Sequence, residues 1–412
     1  MTPSRRRIRI GPGALVAAAF VGPGTVTTCS LAGARAGEAL LWALTFSVIA
    51  TLVLQEMSLR LGVVGGRGLA EALREGFRSP LLGRSAGLLV LVAVTFGCAA
   101  YETGNLLGAA LGLETVFPVA RRLLVLIIGV TAALILLKGS YRVLEAILVG
   151  TVIVMSLAFI TTLLITGIDV FATLRGALLP SLKGGGDIFL VVALIGTTVV
   201  PYNLFLHAAA VQERFRGAAD LKPARLDAGV SIILGGLISG AIVLTAAGAF
   251  HEPGGSAVAI TGAGDMAGQL EPLLGRAATI FFSIGLLAAG ISSGITAPMA
   301  AAYATGGILG WEPGLGGKRQ RAVALGVVAT GVIFGSLGVQ PLQAIMIAQA
   351  ANGLLLPVVA VFLLWAANNT GMLGEYVNRR LTNIVGGTVV LIAAGLGGWA
   401  LLKVIRTILG LA

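Results

Sequence analysis

Eleven apolar stretches dominate the sequence, and each is long enough to cross a lipid bilayer as a helix. A bilayer-crossing helix needs about 20 mainly apolar residues. The runs are long and lack the roughly ten-residue alternation of barrel strands, so helices are expected. We therefore predict an all-α integral membrane protein. The stretches lie at about 11–33, 40–61, 86–110, 120–137, 143–165, 187–211, 228–250, 277–304, 321–337, 342–366 and 384–405.

The composition excludes most soluble classes of protein. Charged residues make up 11% of the chain and hydrophobic residues 57%, whereas a soluble globular protein carries about 25% charged residues. That leaves too little polar surface for a water-soluble body of 412 residues. A cytosolic enzyme, a nucleic-acid-binding domain and a disordered protein are excluded. The net charge of +11 does not indicate a nucleic-acid partner, because Lys and Arg cluster between the apolar stretches. We expect no cofactor.

The distribution of basic residues predicts the orientation. If the N-terminus is cytoplasmic, 20 of the 28 Lys and Arg residues fall on the cytoplasmic side and 8 on the other. Basic residues concentrate in the short cytoplasmic loops of membrane proteins. We expect a multi-pass protein of the cell's inner (plasma) membrane, with a cytoplasmic N-terminus, an external C-terminus and a monomeric state.

Two of the predicted helices are interrupted near their centres. Residues 22–25, Gly-Pro-Gly-Thr, break the first stretch, which resumes at Val26; residues 201–203, Pro-Tyr-Asn, break the sixth, which resumes at Leu204. Proline removes a backbone donor, and glycine tolerates non-helical angles. Backbone groups freed inside a membrane must be satisfied within the protein or by a ligand. The two breaks therefore predict a binding site at the midplane.

The spacing of the breaks predicts an inverted repeat. They are five spans apart, an odd number, so the two halves enter the membrane in opposite directions. Discontinuous helices at matching positions of inverted halves indicate a substrate site between them. We predict one transmembrane domain over 1–412, with repeat one at about 11–165, repeat two at about 187–366 and an eleventh helix at about 384–405.

Several short motifs occur along nearly the whole chain, namely Gly11-Pro12-Gly13, Leu31-Ala32-Gly33-Ala34, Leu61-Gly62-Val63-Val64, GTTVVPYNLFLH at 196–207, Ile291-Ser292-Ser293 and 372–378. In this order they resemble the natural resistance-associated macrophage protein (NRAMP) family of divalent-metal transporters. The resemblance implies a LeuT-type fold of five plus five helices, with helices one and six broken, and a transporter rather than an enzyme.

The residues that hold the ion in that family differ in this sequence. The family has Asp-Pro-Gly-Asn in helix one, where this chain has Gly22 and Thr25 as the first and last residues. The family's Ala-x-x-Met-Pro-His in helix six is replaced at three positions, by Thr197, Val200 and Tyr202. The site thereby loses a carboxylate and a thioether, and a thioether favours softer transition metals over Mg²⁺ and Ca²⁺.

The polar groups that remain are neutral oxygens and amides. Such donors suit a hard cation such as Mg²⁺, which keeps much of its water, and Mn²⁺ is expected to be tolerated. They equally suit a polar organic solute whose anionic group faces a half-helix N-terminus. Gln349 matches a family glutamine near the ion. The expected metal ligands are Thr25, Thr197 and Gln349, within a substrate site of Gly22, Thr25, Thr197, Val200, Tyr202, Asn203 and Gln349.

Three further residues are candidates for a proton pathway. Glu102 lies deep in the third apolar stretch, where an acidic side chain is costly and indicates function; it matches a family Asp on the proton route. Asn105, one turn later, replaces a family Glu. His207 matches a family histidine, and imidazole can pass protons near neutral pH. Structural roles for Glu102 and His207 stay open.

Three functions are compatible with these residues. The first is secondary transport of a divalent cation by alternating access, with possible proton coupling. The second is transport of a non-metal solute on the same scaffold. The third is a membrane receptor or scaffold without transport. Glu56 and Arg60, four residues apart, are predicted to form a structural or gating ion pair.

Overall fold

The structure is a computed structural model, and it describes residues 21–77, 80–138, 142–182, 187–251, 259–311 and 317–408. Seventeen α-helices lie in these ranges. They are α1 Pro23–Ala36, α2 Leu41–Val63, α3 Leu69–Gly76, α4 Pro80–Glu114, α5 Arg121–Lys138, α6 Arg142–Thr166, α7 Val170–Leu178, α8 Asp187–Thr198, α9 Pro201–Ala210, α10 Leu221–Phe250, α11 Ala263–Ala267, α12 Glu271–Leu274, α13 Ala278–Leu309, α14 Lys318–Gly335, α15 Pro341–Ala367, α16 Thr370–Leu373 and α17 Arg380–Ile408.

The long helices correspond to the predicted spans. Eight segments of the described chain are long and apolar enough to cross a membrane. The count differs from eleven for two reasons. Helices α1 and α2 run together through a 3₁₀ turn at Gly37–Leu40 into one segment. Helices α5 and α14 are 18 residues long, and each has three Lys or Arg near its ends. Residues 11–20 of the first predicted span lie outside the described residues.

Helix α4 and the long helix α13 pack along each other, and α5 and α14 lie against them. Helix α1 packs on α10, α9 on α2, and α15 contacts both α8 and α4. The broken span α8–α9 is thus at the centre of the molecule, and nearly all its side chains are buried. By contrast, α17 exposes large apolar side chains such as Leu391, at 74%, as expected for a helix that faces lipid.

The described chain shows a break between α8 and α9 and an extended residue directly before α1, and both α1 and α9 begin earlier than predicted. Gly22 is extended, with φ −87° and ψ 176°, and α1 begins at Pro23 rather than at Val26. Helix α8 ends at Thr198, Val200 has φ −80° and ψ 116°, and α9 begins at Pro201 rather than at Leu204. Proline suits the first helical position because its fixed φ matches the helix and its missing N–H is not needed there. Each proline therefore starts the second half-helix instead of lying inside the break.

Short helices occupy four of the connections between the predicted spans. Helix α3 lies between α2 and α4, α7 between α6 and α8, α11 and α12 before α13, and α16 between α15 and α17. Helix α10 starts at Leu221, seven residues before its predicted start at 228. Its first two turns contain Lys222, Arg225 and Asp227, so their hydropathy resembles that of a loop.

Candidate functional site

The two helix breaks meet in the interior through their threonines. The hydroxyl Oγ1 atoms of Thr25 in α1 and Thr197 in α8 form a hydrogen bond of 2.9 Å. Both residues are buried, with at most 1% of their surface exposed. The sequence predicted that these residues, 172 positions apart, share a site, and the structure places them in direct contact. Two hydroxyl oxygens therefore lie where the half-helices converge.

Pro201 also removes the usual helical donor of a backbone carbonyl at this point. In a continuous helix the Thr197 carbonyl would accept from the N–H four residues later, but that residue is Pro201, which has no N–H. The Val200 carbonyl, by contrast, accepts from the Asn203 N–H at 3.1 Å. The site at the end of α8 thus offers the Thr197 carbonyl and hydroxyl, whereas Val200 contributes a buried apolar side chain.

Gln349 of α15 lies against the first break. A Cβ placed on Gly24 would be 2.5 Å from the Gln349 Cδ atom, so the amide occupies the space that the glycine leaves. The Oε1 atom of Gln349 is buried and has no hydrogen-bond partner among the described residues. Of the predicted metal ligands, Thr25 and Thr197 are thus in contact, and Gln349 packs on the residue next to Thr25.

Two residues that the sequence did not identify also border the first break. A Cβ on Gly22 would lie 2.8 Å from Ser293 Oγ of α13 and 3.6 Å from the Tyr101 hydroxyl of α4. The ring of Tyr101 packs edge-on against that of Tyr202, with centroids 5.3 Å apart. Ser293 belongs to a motif that matched the family, but Tyr101 had no signal other than its position beside Glu102.

Amide groups line the second break and the neighbouring part of α15. Asn203, in the first turn of α9, is 1% exposed, and neither its Nδ2 nor its Oδ1 atom has a partner within the described ranges. Asn352, one turn beyond Gln349, is equally buried, and its Nδ2 atom lacks a partner there as well. The candidate site therefore presents both donors and acceptors.

Glu102 lies next to the site but faces another helix interface. It is fully buried in α4, and its Oε1 atom would be 3.2 Å from a Cβ on Gly294 of α13. Its Cγ atom lies against Gly331 of α14. The Asn105 amide donates to Glu102 Oε2 at 3.4 Å, so the structure brings together two of the three proton-pathway candidates.

His207 has separate surroundings. It is buried in α9, and its Nδ1 atom is 2.7 Å from Oε1 of Gln55, a buried residue of α2. The His207 Nδ1 atom therefore carries the hydrogen and donates, because an amide oxygen can only accept. The sequence did not identify Gln55, which holds the imidazole against α2.

Among the residues that the structure describes, no group of three or more His, Cys, Asp and Glu side chains could hold a metal ion. The N-terminal ends of α1 and α9 both meet the site, and helix N-termini carry partial positive charge. A cation at this site would therefore meet neutral oxygens, such as those of Thr25, Thr197 and Gln349.

Comparisons with known proteins agree with this architecture. Residues 13–403 match the profile of the family described as "Natural resistance-associated macrophage protein-like". The chain is 32% identical to the divalent metal cation transporter MntH of Verminephrobacter eiseniae over 385 residues, covering 91% of this chain and 84% of that protein. It is 28% identical to the MntH of Yersinia pestis over 418 residues, covering 98% of each.

Solved structures share the same fold. The Eremococcus coleocola manganese transporter in complex with an aromatic bis-isothiourea substituted compound superposes with a TM-score of 0.74 at 23% identity, covering 94% of this chain and 84% of that one. A nucleobase-cation-symport-1 family transporter with bromovinylhydantoin bound gives a TM-score of 0.53 at 13% identity, with 99% and 96% coverage. At these identities the likeness concerns the fold alone, and the predicted LeuT-type fold is confirmed.

Proposed function

The chain belongs to the NRAMP family of membrane transporters, and from that premise we propose that it is a secondary transporter that moves a divalent cation by alternating access. Family membership confirms that it is a transporter-family protein rather than an enzyme. The proposed cargo is a hard ion such as Mg²⁺, with Mn²⁺ also accepted, bound by neutral oxygen ligands. The relatives named as divalent metal cation transporters support a metal cargo.

The observation that carries the proposal is the contact between Thr25 and Thr197 at the meeting point of the half-helices. With the Thr197 carbonyl and Gln349 Oε1, these hydroxyls provide neutral oxygen donors. Mg²⁺ prefers oxygen ligands and keeps several of its waters, so it needs few protein ligands. Without a carboxylate, binding should be weak, with a dissociation constant of about 0.1–1 mM, as for oxygen sites of low ligand charge.

The same contact supports the proposal of alternating access. An ion between the two hydroxyls would replace the bond between Thr25 and Thr197, so binding is coupled to a change in how α1 lies against α8. The half-helices would move with their neighbours against the other spans. Gly22, Val200, Tyr202 and Asn203 are proposed to line the site around the ion.

Proton coupling is proposed through the buried polar groups beside the site. Glu102 is the residue proposed to exchange protons, with Asn105 as its hydrogen-bond donor and His207 as a second relay on α9. We further propose that no cofactor is needed, that the protein is monomeric in the inner membrane, and that its N-terminus is cytoplasmic and its C-terminus external.

Binding calorimetry on the purified protein tests the cargo. Mg²⁺, Mn²⁺ and Ca²⁺ are titrated in turn into the wild type and into Thr25→Ala/Thr197→Ala. The matched control is Thr198→Ala, because the Thr198 hydroxyl donates to the Leu194 carbonyl within its own helix. We expect saturable Mg²⁺ and Mn²⁺ binding that the double substitution abolishes and Thr198→Ala retains. Binding that the double substitution leaves unchanged would contradict the proposed ligands.

A second candidate is transport of a polar organic solute on the same scaffold. The specific observation in its favour is the Nδ2 donor groups of Asn203 and Asn352, which have no hydrogen-bond partner among the described residues, because a metal ion uses acceptors only, whereas an organic group can use donors as well. No heat with any of the three ions at millimolar concentration would favour this candidate over the metal. If no solute binds either, a receptor or scaffold without transport remains.

A further inference from the structure

A groove of about 700 Å³ opens at one end of the helix bundle, apart from the helix breaks. It lies between the C-terminal half of α2, the start of α10 and the connection from α16 to α17. The count of basic residues places this end of the bundle on the cytoplasmic side. The lining residues are Leu52, Val53, Glu56, Arg60, Arg225, Glu375, Tyr376, Val377, Arg379 and Thr382.

Arginine side chains dominate the polar wall of the groove. Glu56 is already matched by two of them, with Arg60 at 3.2 Å and Arg225 at 2.5 Å. The exposed Arg379 has no ion pair with any described residue, and only Glu375 adds a further negative charge. The groove therefore carries a net positive charge from three arginines and two glutamates.

Arg60 points to an anionic occupant. The residue is 4% exposed, and its guanidinium donates to the Tyr376 carbonyl at 2.7 Å and to the Asn378 side chain. Its Nε atom is buried and has no hydrogen-bond partner within the described chain. A buried N–H of a charged group without an acceptor is costly, so an acceptor from a bound molecule would complete its hydrogen bonding.

The other wall of the groove is apolar and continues along the membrane-facing surface. Leu52 and Val53 line this wall. Ile49 lies one turn before Val53 on the same face of α2 and is 49% exposed. On the α17 side, Leu381 and Ile384 flank the lining residue Thr382 and are exposed as well. A molecule with an anionic head and apolar tails would match both walls.

We propose that this groove binds an anionic phospholipid, with the phosphate at Arg60, Arg225 and Arg379 and the acyl chains over Leu52, Val53 and Ile49. Arginine recognises phosphate through its planar fork of donors, and the cytoplasmic leaflet carries the anionic lipids. Because Arg60 already joins α2 to the α16–α17 connection and Glu56 joins α2 to α10, the bound headgroup would brace three segments at this end.

Native mass spectrometry of the full chain in detergent tests the proposal. The probes are phosphatidylglycerol, phosphatidylcholine with the same acyl chains, and inorganic phosphate. The test variant is Arg379→Gln, which should fold because Arg379 is exposed. A second variant, Arg379→Lys, keeps the positive charge at this position. The matched control is Lys222→Gln, which removes one exposed charge from α10 one turn before Arg225 but does not line the groove.

We expect one phosphatidylglycerol molecule to bind each protein, and to bind more tightly than phosphatidylcholine. Arg379→Gln should weaken this binding about fivefold, the contribution of one basic residue near a charged lipid surface. Arg379→Lys should restore most of it, and Lys222→Gln should have little effect. The proposal is overturned if both lipids bind equally, if Arg379→Gln and Lys222→Gln weaken binding equally, or if millimolar inorganic phosphate displaces phosphatidylglycerol.

Discussion

Gly196 of α8 allows the closest helix approach beside the candidate site. A Cβ at this position would overlap the Gln349 carbonyl oxygen of α15 and would lie 2.5 Å from the Gly353 backbone nitrogen. Both neighbours are backbone atoms, so neither can rotate away as the end of a side chain can. Gly196→Ala must therefore separate α8 from α15.

The size of the effect follows from that geometry. Ordinary van der Waals contact begins at 3.4 Å, so the approach to the Gly353 nitrogen is 0.9 Å too short. Overpacking costs about 1–3 kcal/mol, and the upper part of that range, about 2–3 kcal/mol, applies here because both neighbours are backbone atoms that cannot rotate away. Alanine gains about 1 kcal/mol over glycine in a helix interior, which offsets only part of the cost. We expect a net loss of about 1–2 kcal/mol and a shift of Gln349 away from the helix breaks.

Thermal unfolding in detergent and Mg²⁺ calorimetry on the same preparation measure the two effects. The matched control is Gly229→Ala in α10, where an added Cβ meets nothing within 4 Å. This substitution should leave the unfolding temperature unchanged or raise it. Gly196→Ala should lower the unfolding temperature and weaken Mg²⁺ binding. If Gly196→Ala proves as stable as Gly229→Ala, the helix packing described around the site is wrong.

Three other substitutions probe separate parts of the account. Gly24→Ala should displace only the flexible amide of Gln349. We expect calorimetry to show Mg²⁺ binding weakened about fivefold, which corresponds to the loss of one hydrogen bond, and thermal unfolding to show an unchanged unfolding temperature. A wild-type affinity for Mg²⁺ would exclude Gln349 as a ligand. Glu102 has no basic partner in the described chain, and Glu102→Gln keeps the shape of its side chain, so the variant should fold. Uptake of Mg²⁺ by the variant, measured over an acidic-to-neutral pH series, should no longer depend on pH. Uptake with the pH dependence of the wild type would exclude Glu102 as the proton carrier. Arg60→Ala removes the hydrogen bonds to the Tyr376 carbonyl and the Asn378 side chain, whereas Glu56 keeps its ion pair with Arg225. Hydrogen bonds to a charged group contribute about 1.5–3 kcal/mol, so chemical unfolding should show a loss in that range; a loss below about 1 kcal/mol would show that this buried arginine does not hold α2 to the α16–α17 connection.

Hydropathy and residue spacing predicted the helices well, except at their ends. The spans depend on runs of apolar residues, which the bilayer requires, and α15, predicted at 342–366, is found at Pro341–Ala367. Charged turns at helix ends were misassigned, as at the start of α10, because tertiary packing rather than hydropathy decides whether such turns are helical. The limits of the breaks could have been found from proline's preference for the first helical position, which applies to Pro23 and Pro201.

The candidate site was predictable only in part. The contact between Thr25 and Thr197 follows from two breaks at equivalent places in an inverted repeat, and this symmetry can be read from the sequence. The approach of Tyr101 and Ser293 to Gly22 depends on how α4 and α13 cross, and no local pattern encodes that. The same holds for Gln55 beside His207, since the two residues lie 152 positions apart.

Neutral oxygens at the two helix breaks are proposed to bind the divalent cation that the protein transports. Uptake of Mg²⁺ into proteoliposomes, followed with an indicator dye inside the vesicles, tests this proposal most directly. The wild type and Thr198→Ala should take up Mg²⁺ well above protein-free vesicles, Mn²⁺ should compete, and Thr25→Ala/Thr197→Ala should reduce uptake to background. Uptake by the double variant at the wild-type rate, or none by a folded wild type, would contradict the proposal.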